Sequence, residues 1–317
     1  MSFGDPLAVE AVRGDIVESS HLVDVAVCAP DGSLRAWAGE PETVAYLRSA
    51  AKPIQATVCT ELGWEPPATS QLAVACASHN GEPLHVDAVR VTLAAAGLDA
   101  SALRCPPASP SVVGDAPSPA AYGPIYHNCS GKHAAMLATC VVKGWDVGGY
   151  RRADTELQRA VQARVEAIAG RSSRGVATDG CGVPTYAFTL SETAAIYARL
   201  RKEAAPALAA MRSHPDLVAG RNRICTAVMG DVPGVVLKVG AEGLMCGVLL
   251  DTGTGFALKA RDGAARGREF ATVHVLEALG VLVDGTTGRI LADVLPRALP
   301  GEGQQPVLRV HGSLEQA

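Results

Sequence analysis

The chain has 317 residues, 48% of them hydrophobic and 19% charged, with a formal net charge of −4. This is the profile of a soluble globular protein long enough for two lobes, and it excludes a disordered chain. It also argues against a nucleic-acid binder, which would carry a basic patch. No apolar run approaches the roughly 18 residues needed to span a bilayer. The start, MSFGDPLAVEAVRGD, lacks the basic-then-apolar order of a signal peptide.

The first forty residues read as strands. LAVEAVRG and then LVDVAVCAPDGSLRAWAG alternate around a turn at Asp31-Gly32, a hairpin signal. Helical patterns follow at 50–62, 83–96, 131–143, 155–169 and 192–202, with another at 216–229. Asp154 is placed to cap the fourth, and Gly63, Gly97, Gly144 and Gly170 to stop the first four. Between the second and third lies a long Pro/Ser/Ala loop, residues 105–124. GVVLKVG, LMCGVLLDTG and GFALKARDG then form a meander of three short strands, and a last helix is expected at 264–279. Strands at both ends and helices between predict an α+β fold. The two ends pair into one antiparallel sheet with helices packed on it and a helical lobe inserted. The expected sheet lobe is 1–45 with 232–317, and the helical lobe 46–231.

Nine scattered cysteines exclude a disulfide framework and fit a reducing, cytoplasmic home. Seven sit in apolar runs as small hydrophobes. Cys129 and Cys181 lie instead in polar, Gly-rich motifs, HNCSGKH and TDGCGVP.

Four groups of residues carry chemistry. In Arg48-Ser49-Ala50-Ala51-Lys52-Pro53, one helical turn would bring Lys52 back beside Ser49. A serine hydroxyl needs a base, and a lysine serves if its pKa is lowered; the plain alternative is a helix cap. In ASHNGE, Ser78 is a second hydroxyl, with His79, Asn80 and Glu82 available to bind substrate, against an ordinary loop and helix start. In HNCSGKH, Cys129, Lys132 and His133 can share one helix face, against a capped helix with a buried cysteine. With Cys181, two thiolates and a nitrogen would make a three-ligand zinc site with an open position. Lys259, in the strand GFALK, loosely resembles the strand lysine of the β-lactamase K-T-G motif, against a plain solvent-facing strand lysine.

RSAAKP, ASHNGE, HNCSGKH, TDGCGVPTYAF and GFALK, occurring in this order, resemble the asparaginase II family, the Rhizobium etli type of L-asparaginase. The resemblance implies a serine β-lactamase-like fold. It implies two Ser-Lys pairs, Ser49 with Lys52 and Ser78 with Lys259, around the scissile amide. It implies a zinc ion held by Cys129, Lys132 and Cys181, with Asp179 and His133 beside it and Arg48 near the substrate. The implied enzyme is a cytoplasmic homodimer that hydrolyses L-asparagine to L-aspartate and ammonia in preference to glutamine. Either serine could attack, and the helix start favours Ser49. A lysine ligand must first lose its proton, at a cost of roughly 5 kcal/mol at neutral pH. Zinc can offset that, since its structural affinities are of order 10–16 kcal/mol. The rival readings are a penicillin-recognising, β-lactamase-like serine hydrolase and a non-enzymatic zinc-binding protein. Neither S-D-N nor an export signal supports the first.

Overall fold

A computed structural model of the chain describes residues 4–111, 122–283, 285–298 and 306–317. The expected loop therefore lies outside the described residues at 112–121. The chain opens with strands β1 (Leu7–Arg13), β2 (Ile16–Cys28), β3 (Leu34–Ala38) and β4 (Val44–Tyr46). A 3-10 turn over Arg48–Ala51 leads into helices α1 (Lys52–Glu61), α2 (Thr69–Ala75), α3 (Pro83–Ala95), α4 (Ser130–Lys143) and α5 (Glu156–Ala169). Then come β5 (Gly175–Thr178), β6 (Pro184–Thr189), α6 (Leu190–Glu203), α7 (Ala205–Ser213), α8 (Pro215–Val218) and α9 (Ile224–Asp231). The chain finishes with β7 (Val235–Val239), β8 (Leu244–Leu249), β9 (Gly255–Ala260), α10 (Ala265–Ala278), α11 (Thr286–Ala298), β10 (Val307–His311) and β11 (Glu315–Gln316).

These elements fall into two compact units. The first comprises Met1–Ala50, Ala187–Arg201 and Asn222–Ala317. Its antiparallel sheet has the order β10-β1-β2-β9-β8-β7, with β3 also on β2 and β11 on β3. The two chain ends meet where β2 pairs with β9, from Val23 opposite Ala260 to Cys28 opposite Gly255. The second half of β2, Val23–Cys28, is buried throughout and is apolar apart from Asp24, which pairs with Arg261, so this central strand shows no polar/apolar alternation. Helix α10 packs its buried residues, Phe270, Val273 and Leu276 among them, on this unit. The α+β architecture expected from the sequence is thus the one observed. Residues 46–50, 187–201 and 222–231 fall in this unit as well, the middle stretch where β6 pairs with β4, Val44 opposite Thr189 through Tyr46 opposite Ala187. The N–H groups of Leu190 and Ser191 then donate to Thr43 O and Pro41 O.

The second unit comprises Ala51–Tyr186 and Lys202–Arg221 and is mostly helical. Helix α4 is its centre: every residue from Ser130 to Cys140 is buried. It approaches α2 so closely that a Cβ on Gly131 would stand 2.1 Å from the carbonyl oxygen of Val74. The glycine of HNCSGKH is therefore a packing requirement as well as part of a motif. Helix α5 begins one residue later than expected. Thr155 caps it, with Oγ1 accepting from Gln158 N–H at 3.3 Å. Asp154 instead faces Arg152 with two bonds of 3.1 Å. The single helix expected at 216–229 is broken into α8 and α9, because Gly220 (φ +107°) and Asn222 (φ +58°) take left-handed conformations between them. Among the described residues no helix is long and apolar enough to cross a membrane.

Candidate active site

Lys52 opens α1 and is fully buried. Its Nζ donates to Ala77 O, to Ser78 Oγ at 3.0 Å and to Asn128 O at 3.1 Å. The sequence pairs Lys52 with Ser49, but the hydrogen bond the structure forms is to Ser78. Ser49 lies in the 3-10 turn Arg48–Ala51, ahead of α1. A buried amine needs acceptors, and the carbonyls of residues 77 and 128 supply them. Burial holds the Lys52 pKa below its ordinary 10.5; the nearby Cys129 opposes this and Lys132 reinforces it. When Lys52 is neutral, its lone pair must face a donor. Of its three partners only the Ser78 hydroxyl carries a hydrogen, so neutral Lys52 accepts from Ser78 O–H.

Ser78 sits after α2 in a loop braced by the break between α8 and α9. Ser78 N–H donates to Val218 O at 2.9 Å and Asn80 N–H to Ala219 O at 3.0 Å. Asn80 Nδ2 reaches Glu82 Oε1 at 2.9 Å and Arg221 O at 3.0 Å. Glu82 also accepts from Arg221 N–H (2.9 Å) and Arg221 Nε–H (3.2 Å), and it caps α3 in a reciprocal box with His85. Burial pushes the Glu82 pKa up, but the bonds from Asn80 and Arg221 outweigh it and hold the carboxyl below its ordinary value. His79 is buried, and its Nδ1 accepts from Gly81 N–H. Its Nε2–H therefore donates to Ser130 Oγ at 3.0 Å, and Ser130 Oγ donates to Ile125 O. Burial, then the neighbouring His85 and Lys52, keep this imidazole neutral. His79, Asn80 and Glu82 thus make hydrogen bonds inside the protein that brace the Ser78 loop.

The second motif pair converges in the same unit. Cys129, Lys132 and Cys181 are all buried. Lys132 Nζ donates to Cys181 Sγ at 3.1 Å. The Cys181 thiol holds the Cys129 pKa well below its ordinary 9.0, and Lys52 and Lys132 help against the opposing effect of burial. Cys181 is pushed up by Cys129 and by burial. Burial lowers the Lys132 pKa, but the two sulfurs outweigh it and raise it above 10.5. The Asn128 side-chain amide lies 3.0 Å from Cys129 Sγ, and His127 Nδ1 accepts Cys129 N–H. Asp179 opens the tight turn that carries Cys181, its Oδ2 3.7 Å from that sulfur and its N–H on Val183 O. His133 is fully buried beside Lys132, with Nδ1 2.6 Å from the Tyr150 hydroxyl and Nε2 without a partner among the described residues. Among the described residues no three His, Cys, Asp or Glu side chains form a metal-holding group. The cluster offers two sulfurs and an amine, a donor set chemically suited to a soft divalent ion such as zinc.

Arg48, Ser49 and Lys259 belong to the sheet unit. Arg48 has φ +48°, a left-handed conformation rare for a residue with a side chain. Its Nη1 lies 4.0 Å from Oε1 of Glu242, itself at φ +56°. Ser49 is half-buried in the 3-10 turn. Lys259 on β9 is opposite Asp24 on β2, and its Nζ donates to Ala260 O. Burial lowers the Lys259 pKa against the pull of Glu242, Asp262 and Asp24.

The sequence reading missed Tyr150, His127, Asn128 and Arg221 as site residues. Asn128 and His127 stood inside a motif already singled out. Arg221 followed the Gly220 that breaks the helix. Tyr150 had no signal beyond an aromatic after the Gly148-Gly149 turn.

The family model described as L-asparaginase II matches residues 9–310. No curated protein matches the chain. Several solved structures are similar in shape. The native form of Mglu shares 13% identity at a TM-score of 0.48, over 83% of this chain and 66% of that one. This chain therefore spans slightly less than two thirds of the length of Mglu. A Bacillus glutaminase in 4.3 M NaCl shares 12% at 0.48, over 82% and 91%. A β-lactamase from Mycobacterium bovis shares 15% at 0.38, over 82% and 95%.

Proposed function

Because the chain belongs to the L-asparaginase II family, we propose that it is an amidohydrolase converting L-asparagine to L-aspartate and ammonia. The observation that carries the chemistry is the 3.0 Å contact between a fully buried Lys52 and the Ser78 hydroxyl. Neutral Lys52 takes the Ser78 proton as Oγ bonds to the side-chain amide carbon. The C–N bond then breaks, and ammonia leaves with the proton that Lys52 returns. Water, giving a proton to the same amine, hydrolyses the aspartyl ester and restores Ser78. The oxyanion is not held by Ser78's own N–H, which is already donated to Val218 O.

A second reading keeps Ser49 as the nucleophile. The left-handed backbone of Arg48 favours it, since strain of this kind gathers at functional positions. Ser49→Ala and Ser78→Ala separate the two when ammonia release from L-asparagine is measured against L-glutamine and a blank. The nucleophile's variant loses about a thousandfold or more. Ser78→Ala within tenfold of wild type would transfer the role to Ser49. Nitrocefin turnover without ammonia release would instead favour a penicillin-recognising hydrolase, and zinc binding with neither a non-enzymatic protein.

Zinc would be held by Cys129, Lys132 and Cys181. When bound it supplies a fixed positive charge that can orient the charged end of an amino-acid substrate. Deprotonating Lys132 then costs more than for an ordinary lysine, because the two sulfurs raise its pKa. A cytoplasmic homodimer is the proposed setting.

A further inference from the structure

Tyr150 and His133 share one short hydrogen bond, and the atoms around it fix its direction. Tyr150 is fully buried at the turn before α5, where its carbonyl accepts from Gln158 Nε2 at 2.9 Å. Its hydroxyl oxygen accepts the N–H of Arg104 at 3.1 Å. The hydroxyl hydrogen then needs an acceptor of its own. His133 Nδ1, 2.6 Å away, is the one that the structure provides. The two rings meet edge to face, at 86° with centroids 5.5 Å apart, so the imidazole is also held by packing. A histidine accepting at Nδ1 carries its hydrogen on Nε2. That Nε2–H is buried and has no partner among the described residues. The charges bearing on the ring come from Lys132, Cys129, His127 and Lys52, all parts of the candidate site.

We propose that Tyr150 is a positioning residue that locks His133 in the Nε2–H tautomer, and that this N–H donates to a carboxylate oxygen of the bound amino-acid substrate. The second half rests on the amidohydrolase reading given above. A buried N–H left without an acceptor is costly, and few native proteins retain one unless a ligand or water completes it. A carboxylate is the acceptor of choice beside two lysines, because it adds charge attraction to the hydrogen bond. Among the residues named from sequence, His133 then differs from His79. The latter has both nitrogens satisfied internally, whereas the former keeps one donor for a ligand.

The test is 15N NMR of histidine-labelled, full-length protein, with His133→Gln used to assign the signal. Wild type should show a protonated Nε2 and a bare Nδ1 at His133. L-Aspartate, the product and a non-reacting carboxylate, should shift the Nε2–H signal. Tyr150→Phe should let the Nδ1–H tautomer appear. It should also raise KM for L-asparagine on the order of tenfold while kcat changes less, the split expected when one ground-state hydrogen bond is weakened. His133→Gln, which keeps a side-chain N–H, should retain more affinity than His133→Leu. This pair carries the test if Tyr150→Phe does not fold. A wild-type Nδ1–H tautomer, or an unchanged tautomer in Tyr150→Phe, overturns the role of Tyr150. An Nε2–H signal indifferent to L-aspartate, or equal affinity in the Gln and Leu variants, overturns the carboxylate contact. The tautomer is read without turnover. The expected tautomer in a chain that releases no ammonia would therefore sink the amidohydrolase reading and leave the role of Tyr150 standing.

Discussion

Glu82→Gln should cost stability rather than catalysis, and the structure sets the amount. Oε1 of Glu82 accepts from Asn80 Nδ2 and Arg221 N–H, both at 2.9 Å, and Oε2 accepts from Arg221 Nε at 3.2 Å. A glutamine can keep its oxygen at the first position and so retain the two better bonds. It loses the charge on them, and hydrogen bonds to charged groups are worth about 1 kcal/mol more than neutral ones. Its amide nitrogen then faces the donating Nε of Arg221, whose exposed side chain contributes ~1 kcal/mol at most. The expected loss is about 2–3 kcal/mol at pH 7. The pH dependence has a definite sign. The folded-state pKa of Glu82 lies below its ordinary 4.5, so its contribution is complete above that value and is lost as pH falls through the folded one. Urea unfolding of both proteins, repeated from neutral pH down to about pH 3, should show the difference shrinking in acid. A loss below about 0.5 kcal/mol at pH 7 would refute the account, since that is the scatter of an ordinary surface change. So would unchanged stability with a large rise in KM, which would return Glu82 to the substrate contacts that the motif alone suggests.

Other expectations follow from single residues. kcat/KM should rise with pH as the depressed pKa of Lys52 is passed and the neutral base accumulates. Lys52→Met should remove that limb and at least about a hundredfold of activity, and Lys52→Arg, which cannot deprotonate, should be no better; a limb that survives in Lys52→Met excludes this base. Cys129→Ala and Cys181→Ala should each lower bound zinc in elemental analysis, and stoichiometric zinc in the double variant would move the metal elsewhere. Gly131→Ala should destabilise by about 1–3 kcal/mol, because its Cβ meets the backbone of Val74. A gain in thermal stability, the usual result for this exchange inside a helix, would show that α2 and α4 can separate without cost.

The elements that the sequence made legible were those with one strong local signal. The glycines after the early helices marked their ends, and the apolar runs of β7, β8 and β9 marked the meander. The pairing of the two chain ends followed from having strands nowhere else to go, and β2 against β9 realises it. The break after α8 was hidden, since LVAGRNRICTAVM keeps a helical rhythm through a left-handed pair that only tertiary contacts reward. At the site, the motifs singled out Lys52 and Ser78 separately but not the hydrogen bond between them. Spacing assigned Lys52 to the serine three residues away, yet the acceptors that satisfy its amine come from residues 77, 78 and 128. Polar residues in a motif look alike in sequence whether they face a ligand, as His133 Nε2 can, or are fully bonded within the protein, as His79 is.

The brace on the Ser78 loop also orders events during synthesis. Val218, Ala219 and Arg221 reach the chain's exit some 140 residues after the loop they hold. The intervening segment 187–201 belongs to the other unit. A nascent chain that ends before residue 218 therefore carries Asn80 and Glu82 without their final partners, however complete α1 to α5 are. Contacts of such long sequence separation form late and slowly. Lys52 and Ser78 should accordingly be the last part of the helical unit to become rigid. In pulse-labelled hydrogen exchange during refolding, the amides of Ser78 and Asn80 should gain protection after those of α4.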